Sequence, residues 1–217
     1  MIVSLNELES LVMKAVRGAG LDWGLAEEAA ATASWLARAD LLQLGPLVAR
    51  LGTTTPTSPL VMDGAMIHPS TTGTSLCPIL TGAFIADHGG VCQTLELHDV
   101  RAPLWLSAVV ARALPPECRL MTEWEGVRLV LDSGGPLGSP GGDPFSSNVA
   151  VEVTGFVSLA IEQPVQAPRV PPLRSAVGIR VDDVHWHTLE ALQRHTYVPA
   201  SDRSRLAGAG AGLLDDD

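Results

Sequence analysis

Ser4-Leu-Asn-Glu7, followed by apolar residues at positions 8, 11, 12, 15 and 16, commits the start of the chain to an amphipathic helix. The Ser/Glu spacing is that of a capping box, in which each side chain satisfies an amide of the other residue. The apolar spacing, Leu5 included, lays one stripe along the helix. Gly18-Ala-Gly20 ends it, and Asp22 can cap a second helix running through Glu27, Glu28, Trp35 and Leu36 to about residue 42, with acidic residues in its first turn. Gly45-Pro46 breaks that helix, and residues 47–51 add a short turn. Residues 1–51 therefore read as a helical hairpin, whose stripe must be buried on whatever the rest of the chain builds.

Beyond residue 51 the pattern changes. Thr53-Thr-Thr-Pro-Thr-Ser-Pro59 is a polar linker and marks an internal boundary, with a mixed α+β core from residue 60 to 217. Residues 60–67 and 92–97 read as strands, separated by a helix over 77–87 that opens with Pro78; residues 103–114 read as another helix bounded by prolines. Residues 119–124 and 127–131 flank Glu125-Gly126 as a hairpin, and 148–154 and 156–161 form a second alternating pair around Gly155. A strand over 176–181 leads to a helix capped by Asp182 or Asp183 that ends near His195. Successive hairpins with helices at both ends predict a single α+β domain, the helical hairpin packed on a mainly antiparallel sheet.

Charge and composition exclude several functions. The net charge of −10 and the scarcity of clustered Lys/Arg argue against nucleic acid and anionic membrane as partners. The longest apolar-rich stretches, 76–86 and 102–114, fall short of the ~20 residues of a membrane helix. Three widely spaced cysteines, Cys77, Cys92 and Cys118, form no C-x-x-C pair and suit a reducing compartment. The first residues have neither a basic nor an apolar region of a secretory signal. A soluble, cytoplasmic protein is expected. Of the 14 basic residues only Lys14 is lysine, and it lies off the apolar stripe. Schiff-base, pyridoxal-phosphate and P-loop chemistry lose their anchor, and anion recognition falls to arginine, amides and hydroxyls.

Several patterns invite chemistry without securing it. The loop over 133–147 is rich in glycine, like a phosphate cradle, but Pro136, Pro140 and Pro144 remove donors and a strand comes next; it reads as a long hairpin connection, with Asp132, Ser133 and Asp143 its polar residues. His185-Trp-His187 sets two imidazoles at a helix start, where they diverge by about 200°. No spacing supplies further metal ligands such as Cys77, His68 or Asp87, so no metal site is expected. There is no G-x-S-x-G elbow, and among the cysteines only Cys118 adjoins a basic residue.

The C-terminal stretch gathers scarcer chemistry. His195 and Tyr197, the only tyrosine, close the last helix; Pro199 stops it; Ser201-Asp-Arg-Ser204 can cap a further turn carrying Arg203 and Arg205. Arginine forks match carboxylate or phosphate, and the alternating Gly208, Gly210 and Gly212 allow close backbone approach. The competing reading is a surface turn whose arginines pair with acids, leading into a solvated tail that ends in three aspartates.

Ser4-Leu-Asn-Glu-Leu-Glu9 with Lys14-Ala-Val-Arg-Gly-Ala-Gly20 and Trp23-Gly-Leu-Ala-Glu-Glu-Ala29 resembles the start of a bacterial family known only as a domain of unknown function. Thr196-Tyr-Val-Pro-Ala-Ser201 with Ser204-Arg205 and the 208–212 glycine run resembles the end of the same family, which implies no activity or cofactor. The paired N-terminal helices also resemble those of malate, lactate and sulfolactate dehydrogenases that lack a Rossmann fold. That family continues into Ser-His-Gly where this chain has Leu44-Gly45-Pro46, so a nicotinamide cofactor does not carry over.

Two functions are expected on these grounds, with the cofactor unknown. In one, a small anionic molecule binds where Arg203 and Arg205 clamp it, Tyr197 or His195 orients it or moves a proton, and Gly208 and Gly210 form a wall. The other is a non-catalytic accessory or protein-interaction module, with oligomeric state open.

Overall fold

The capping box forms as its spacing predicts. In a computed structural model that describes residues 1–52, 58–88, 94–137, 141–144, 152–162 and 178–197, the short strand β1 (Ile2–Val3) leads into α1 (Leu5–Gly18). The Ser4 hydroxyl accepts from the Glu7 amide at 3.2 Å, and the Glu7 carboxylate accepts from the Ser4 amide and hydroxyl, both at 2.7 Å. The amide bond, then the hydroxyl bond, hold the Glu7 carboxyl below its ordinary value. That contribution to stability is present above the unfolded-state value and is lost as pH falls through the folded one. Ser4→Ala removes the two bonds made by the Ser4 hydroxyl and leaves the Glu7 bond to the residue 4 amide; it is expected to lower Tm by about 2–4 °C, read by thermal denaturation near neutral pH.

The second helix, α2 (Trp23–Arg38), is shorter than its periodicity implies. It stops at Ala39 because Asp40 takes a left-handed φ of 57° and turns the chain. Glu27 and Glu28 lie beyond its first turn, and Asp22 occupies the cap position without a side-chain hydrogen bond. Gly45-Pro46 does not break α2, which has already ended, but opens the next helix. Pro46, with no amide hydrogen to lose, sits at the start of α3 (Gly45–Leu51). The 53–57 part of the linker lies outside the described residues.

The strand expected over 60–67 is a hairpin, β2 (Leu60–Asp63) and β3 (Met66–Pro69), because Gly64 adopts φ 62° and reverses the chain. Then come α4 (Pro78–His88), β4 (Thr94–Arg101), α5 (Pro103–Ala113), and the hairpin β5 (Arg119–Trp124) with β6 (Val127–Asp132). Glu125 and Gly126 both take positive φ, 40° and 81°, the conformation a two-residue hairpin turn demands. A two-residue β7 (Gly135–Pro136) comes after it.

The pair expected around Gly155 is instead one long strand, β8 (Glu152–Glu162), with residues 148–151 outside the described set. It pairs antiparallel with β4 on one side and β5 on the other. Between the pairs His98–Phe156 and Val100–Val153, β8 advances three residues (156 − 153) and β4 two (100 − 98). Gly155 falls in that β-bulge and does not turn the chain, which is the other use a strand makes of glycine.

The seven strands lie in the order β2-β3-β4-β8-β5-β6-β7. Only the β3–β4 pair is parallel among those described, and α4 supplies its crossover. A separate ribbon joins β1 to β9 (Ile179–Arg180), which leads into α6 (Asp183–Gln193) and a 3-10 turn over Arg194–Thr196.

This is an α+β fold whose central element is α5. Every residue from Pro103 to Ala111 is buried, as an all-round apolar helix requires. One side of α5 meets β5, β6 and β8, and the others meet α4 and α2. The N-terminal hairpin thus reaches the sheet largely through α5, with α1 on α2 and α6 on α1. Two indoles tie these layers to loops: Trp35 Nε1 donates to the Ser133 carbonyl and Trp105 Nε1 to the Gln43 carbonyl, both at 3.0 Å.

Candidate functional site

His195 and Tyr197 stand at the C-terminal end of α6, and the reason lies in how α6 begins and what it rests on. Asp182 caps it, its carboxylate accepting from the His185 amide at 3.0 Å; that bond foremost holds the carboxyl below its ordinary value. The apolar residues Trp186 and Leu189 then turn α6 onto α1. The two helices touch so closely at Gly18 that a Cβ there would stand 1.9 Å from the Leu192 carbonyl oxygen. Beyond this contact the 3-10 turn brings His195 Nδ1 to 3.2 Å from the Gly18 carbonyl.

That carbonyl can only accept, so Nδ1 carries the hydrogen, and in the neutral ring Nε2 is the nitrogen with a lone pair. The imidazole sits at the C-terminus of α1, where carbonyls without a helical partner accept a hydrogen-bond donor. Tyr197 is 54% exposed at the same place. On the same last turn of α1, Arg17 donates to the Leu21 carbonyl at 3.0 Å and lies over Trp23, 5.6 Å from its ring centre. Two of the six residues singled out in the C-terminal stretch are thus described, together and exposed. Arg203, Arg205, Gly208 and Gly210 lie outside the described residues, as does the rest of 198–217.

The other polar patterns are taken up by structure. Asp132 is buried, and its Oδ1 accepts from the amides of Gly134 at 2.7 Å and Gly135 at 3.0 Å. The first donors of the glycine-rich loop therefore point at the chain's own carboxylate, and the Ser133 carbonyl receives Trp35. His185 and His187 diverge: the ring of His185 packs against Gly45, whereas His187 Nδ1 meets the Asp183 carbonyl at 2.6 Å. Among the described residues no group of three His, Cys, Asp or Glu could hold a metal ion. Cys77 and Cys118 are buried, and Lys14, off the apolar stripe of α1, is half-buried.

One pair is not apparent from the sequence pattern. His68 and Asp63 face each other across the β2–β3 hairpin at 3.1 Å. The signal was available: residues either side of Gly64 at this spacing meet diagonally once the segment is seen as a hairpin and not a single strand.

Comparison with known proteins adds a family-model match over the first helices but no activity. Residues 3–51 match the model of a family described as a protein of unknown function (DUF3726). The match covers α1 to α3, the first of the two segments that carried the resemblance. No curated protein matches the chain. Among solved structures, the chain is similar to an E. coli protein assigned as a malate/lactate dehydrogenase, at 11% identity and TM-score 0.49, over 95% of this chain and 98% of that one. It is similar to sulfolactate dehydrogenase from Methanocaldococcus jannaschii at 8% identity and TM-score 0.49, over 89% and 97%. Malate dehydrogenase from Entamoeba histolytica is similar at 10% identity and TM-score 0.38, over 67% and 50%. Scores at this level transfer no ligand or reaction to this chain.

Proposed function

We propose that the protein binds a small anionic metabolite where its C-terminal segment leaves α6. The observation that supports this most is the exposed pair His195 and Tyr197 at the end of α1, directly ahead of Arg203, Arg205 and the glycine run in sequence. An imidazole held by one nitrogen and a phenol with its ring exposed can orient an anion or exchange a proton with it. Arg203 and Arg205 supply the charge, which a chain with a single lysine must draw from arginine.

A panel of carboxylates and phosphates, tested by thermal shift on wild type and Arg205→Ala, decides the matter. At ligand concentrations of about 100 Kd, binding adds about 2.7 kcal/mol. That is a Tm rise of about 5–10 °C, expected in wild type and lost in the variant. Absence of any Arg205-dependent rise across the panel overturns the proposal.

A protein-interaction module is the second reading, and exposed apolar side chains favour it. Ile2 on the β1–β9 ribbon is 65% exposed, and Val184 in the first turn of α6 is 73% exposed. Deleting residues 206–217 separates the readings: loss of an oligomer or partner with ligand response retained supports docking, and the reverse supports the anion site.

A further inference from the structure

We propose that His68 is a proton-operated latch on the β2–β3 hairpin at the edge of the sheet, tying the hairpin when its imidazole is charged and loosening it when neutral. Both ring nitrogens face acceptors: Nδ1 lies 3.0 Å from the Pro69 carbonyl and Nε2 lies 3.1 Å from Asp63 Oδ2. An imidazolium donates to both. A neutral ring has one hydrogen to give, so it must turn a lone pair toward either a carbonyl or a carboxylate, and one contact becomes repulsive.

The pairing is diagonal across the hairpin, Val61 standing opposite His68 and Met66 opposite Asp63. From β4, the same face presents Glu96, opposite Met66, and His98 two residues on. The bond to the Pro69 carbonyl, then the one to Asp63, raise the histidine above its ordinary value, in keeping with a ring that prefers its proton here. Because the value is raised on folding, the latch contributes fully below the unfolded-state value and is lost as pH rises through the folded one.

The opposite end of the hairpin is tied without any proton exchange. Ser58 is buried, accepts from the Thr71 amide at 3.0 Å and bonds the Ser70 hydroxyl at 2.9 Å. Loosening is therefore confined to the Asp63–Met66 end, beside the exposed Met62 and Met66. β2 is the outer strand of the sheet, so its release frees backbone groups at an edge where another strand could pair.

An NMR titration of the full chain tests this, the His68 resonance being assigned by its loss in His68→Gln. The midpoint is expected above the ordinary histidine value in wild type and back toward it in Asp63→Asn. Amide exchange in β2 and β3, corrected for intrinsic base catalysis, is expected to speed up about two- to five-fold as pH passes the midpoint, the scale of an exposed ion pair. In His68→Gln it should be flat. A wild-type midpoint at or below the ordinary value overturns the latch, and so does hairpin protection that stays constant through the titration of His68.

Discussion

Gly18→Ala is expected to cost about 3 kcal/mol, the upper part of the range for overpacking a close contact, and to lower Tm by about 6–12 °C. The added Cβ would meet the Leu192 carbonyl oxygen at 1.9 Å and its carbon at 2.8 Å. Both are backbone atoms in the last turn of α6, so no rotamer change relieves them. Either α6 moves off α1 or its last turn unwinds, and both responses displace His195, whose imidazole is bonded to the Gly18 carbonyl. Gly24→Ala is the control. Gly24 is exposed in the first turn of α2, with nothing within 4 Å of its would-be Cβ. There alanine should be neutral or slightly stabilising, because it restricts the unfolded chain more than the folded one. Thermal melts of the two variants beside wild type give the comparison, and equal Tm values would show that α1 and α6 do not touch at Gly18.

The same contact shows why some of this fold could be read from sequence and some could not. Helix starts were legible wherever a local device sets them: the Ser4/Glu7 box, Pro78, Pro103, and Asp182 before α6. So was the β5–β6 hairpin, since Glu125-Gly126 is a turn signal complete in itself. The hairpin at Gly64 and the bulge at Gly155 were misread because a glycine between alternating residues states that the backbone deviates, not how. Which deviation occurs depends on the neighbouring strand, and for β8 those neighbours are β4 and β5, both distant in sequence. For the candidate site, sequence proximity put His195 and Tyr197 together. Their place at the end of α1 depends on Gly18 and Leu192, a long-range approach that no local pattern encodes.

Trp105→Ala should be the most damaging change of a single side chain, at about 4 kcal/mol or more. Trp105 is 1% exposed on α5, the helix that the sheet, α4 and α2 all contact, so its truncation opens a cavity in the close-packed interior. Its Nε1 also donates to the Gln43 carbonyl at 3.0 Å in the connection between α2 and α3. Truncation leaves that acceptor unpaired as well as opening the cavity. Trp105→Phe separates the two effects: most of the apolar surface stays while the donor is lost, and the expected cost falls to about 1–2 kcal/mol. Urea denaturation should show the midpoint falling in the order wild type, Phe, Ala with the slope unchanged. A Phe variant as unstable as Ala would assign the stability to the Gln43 bond, and with it to the tether between the N-terminal helices and α5, in place of packing around α5 itself.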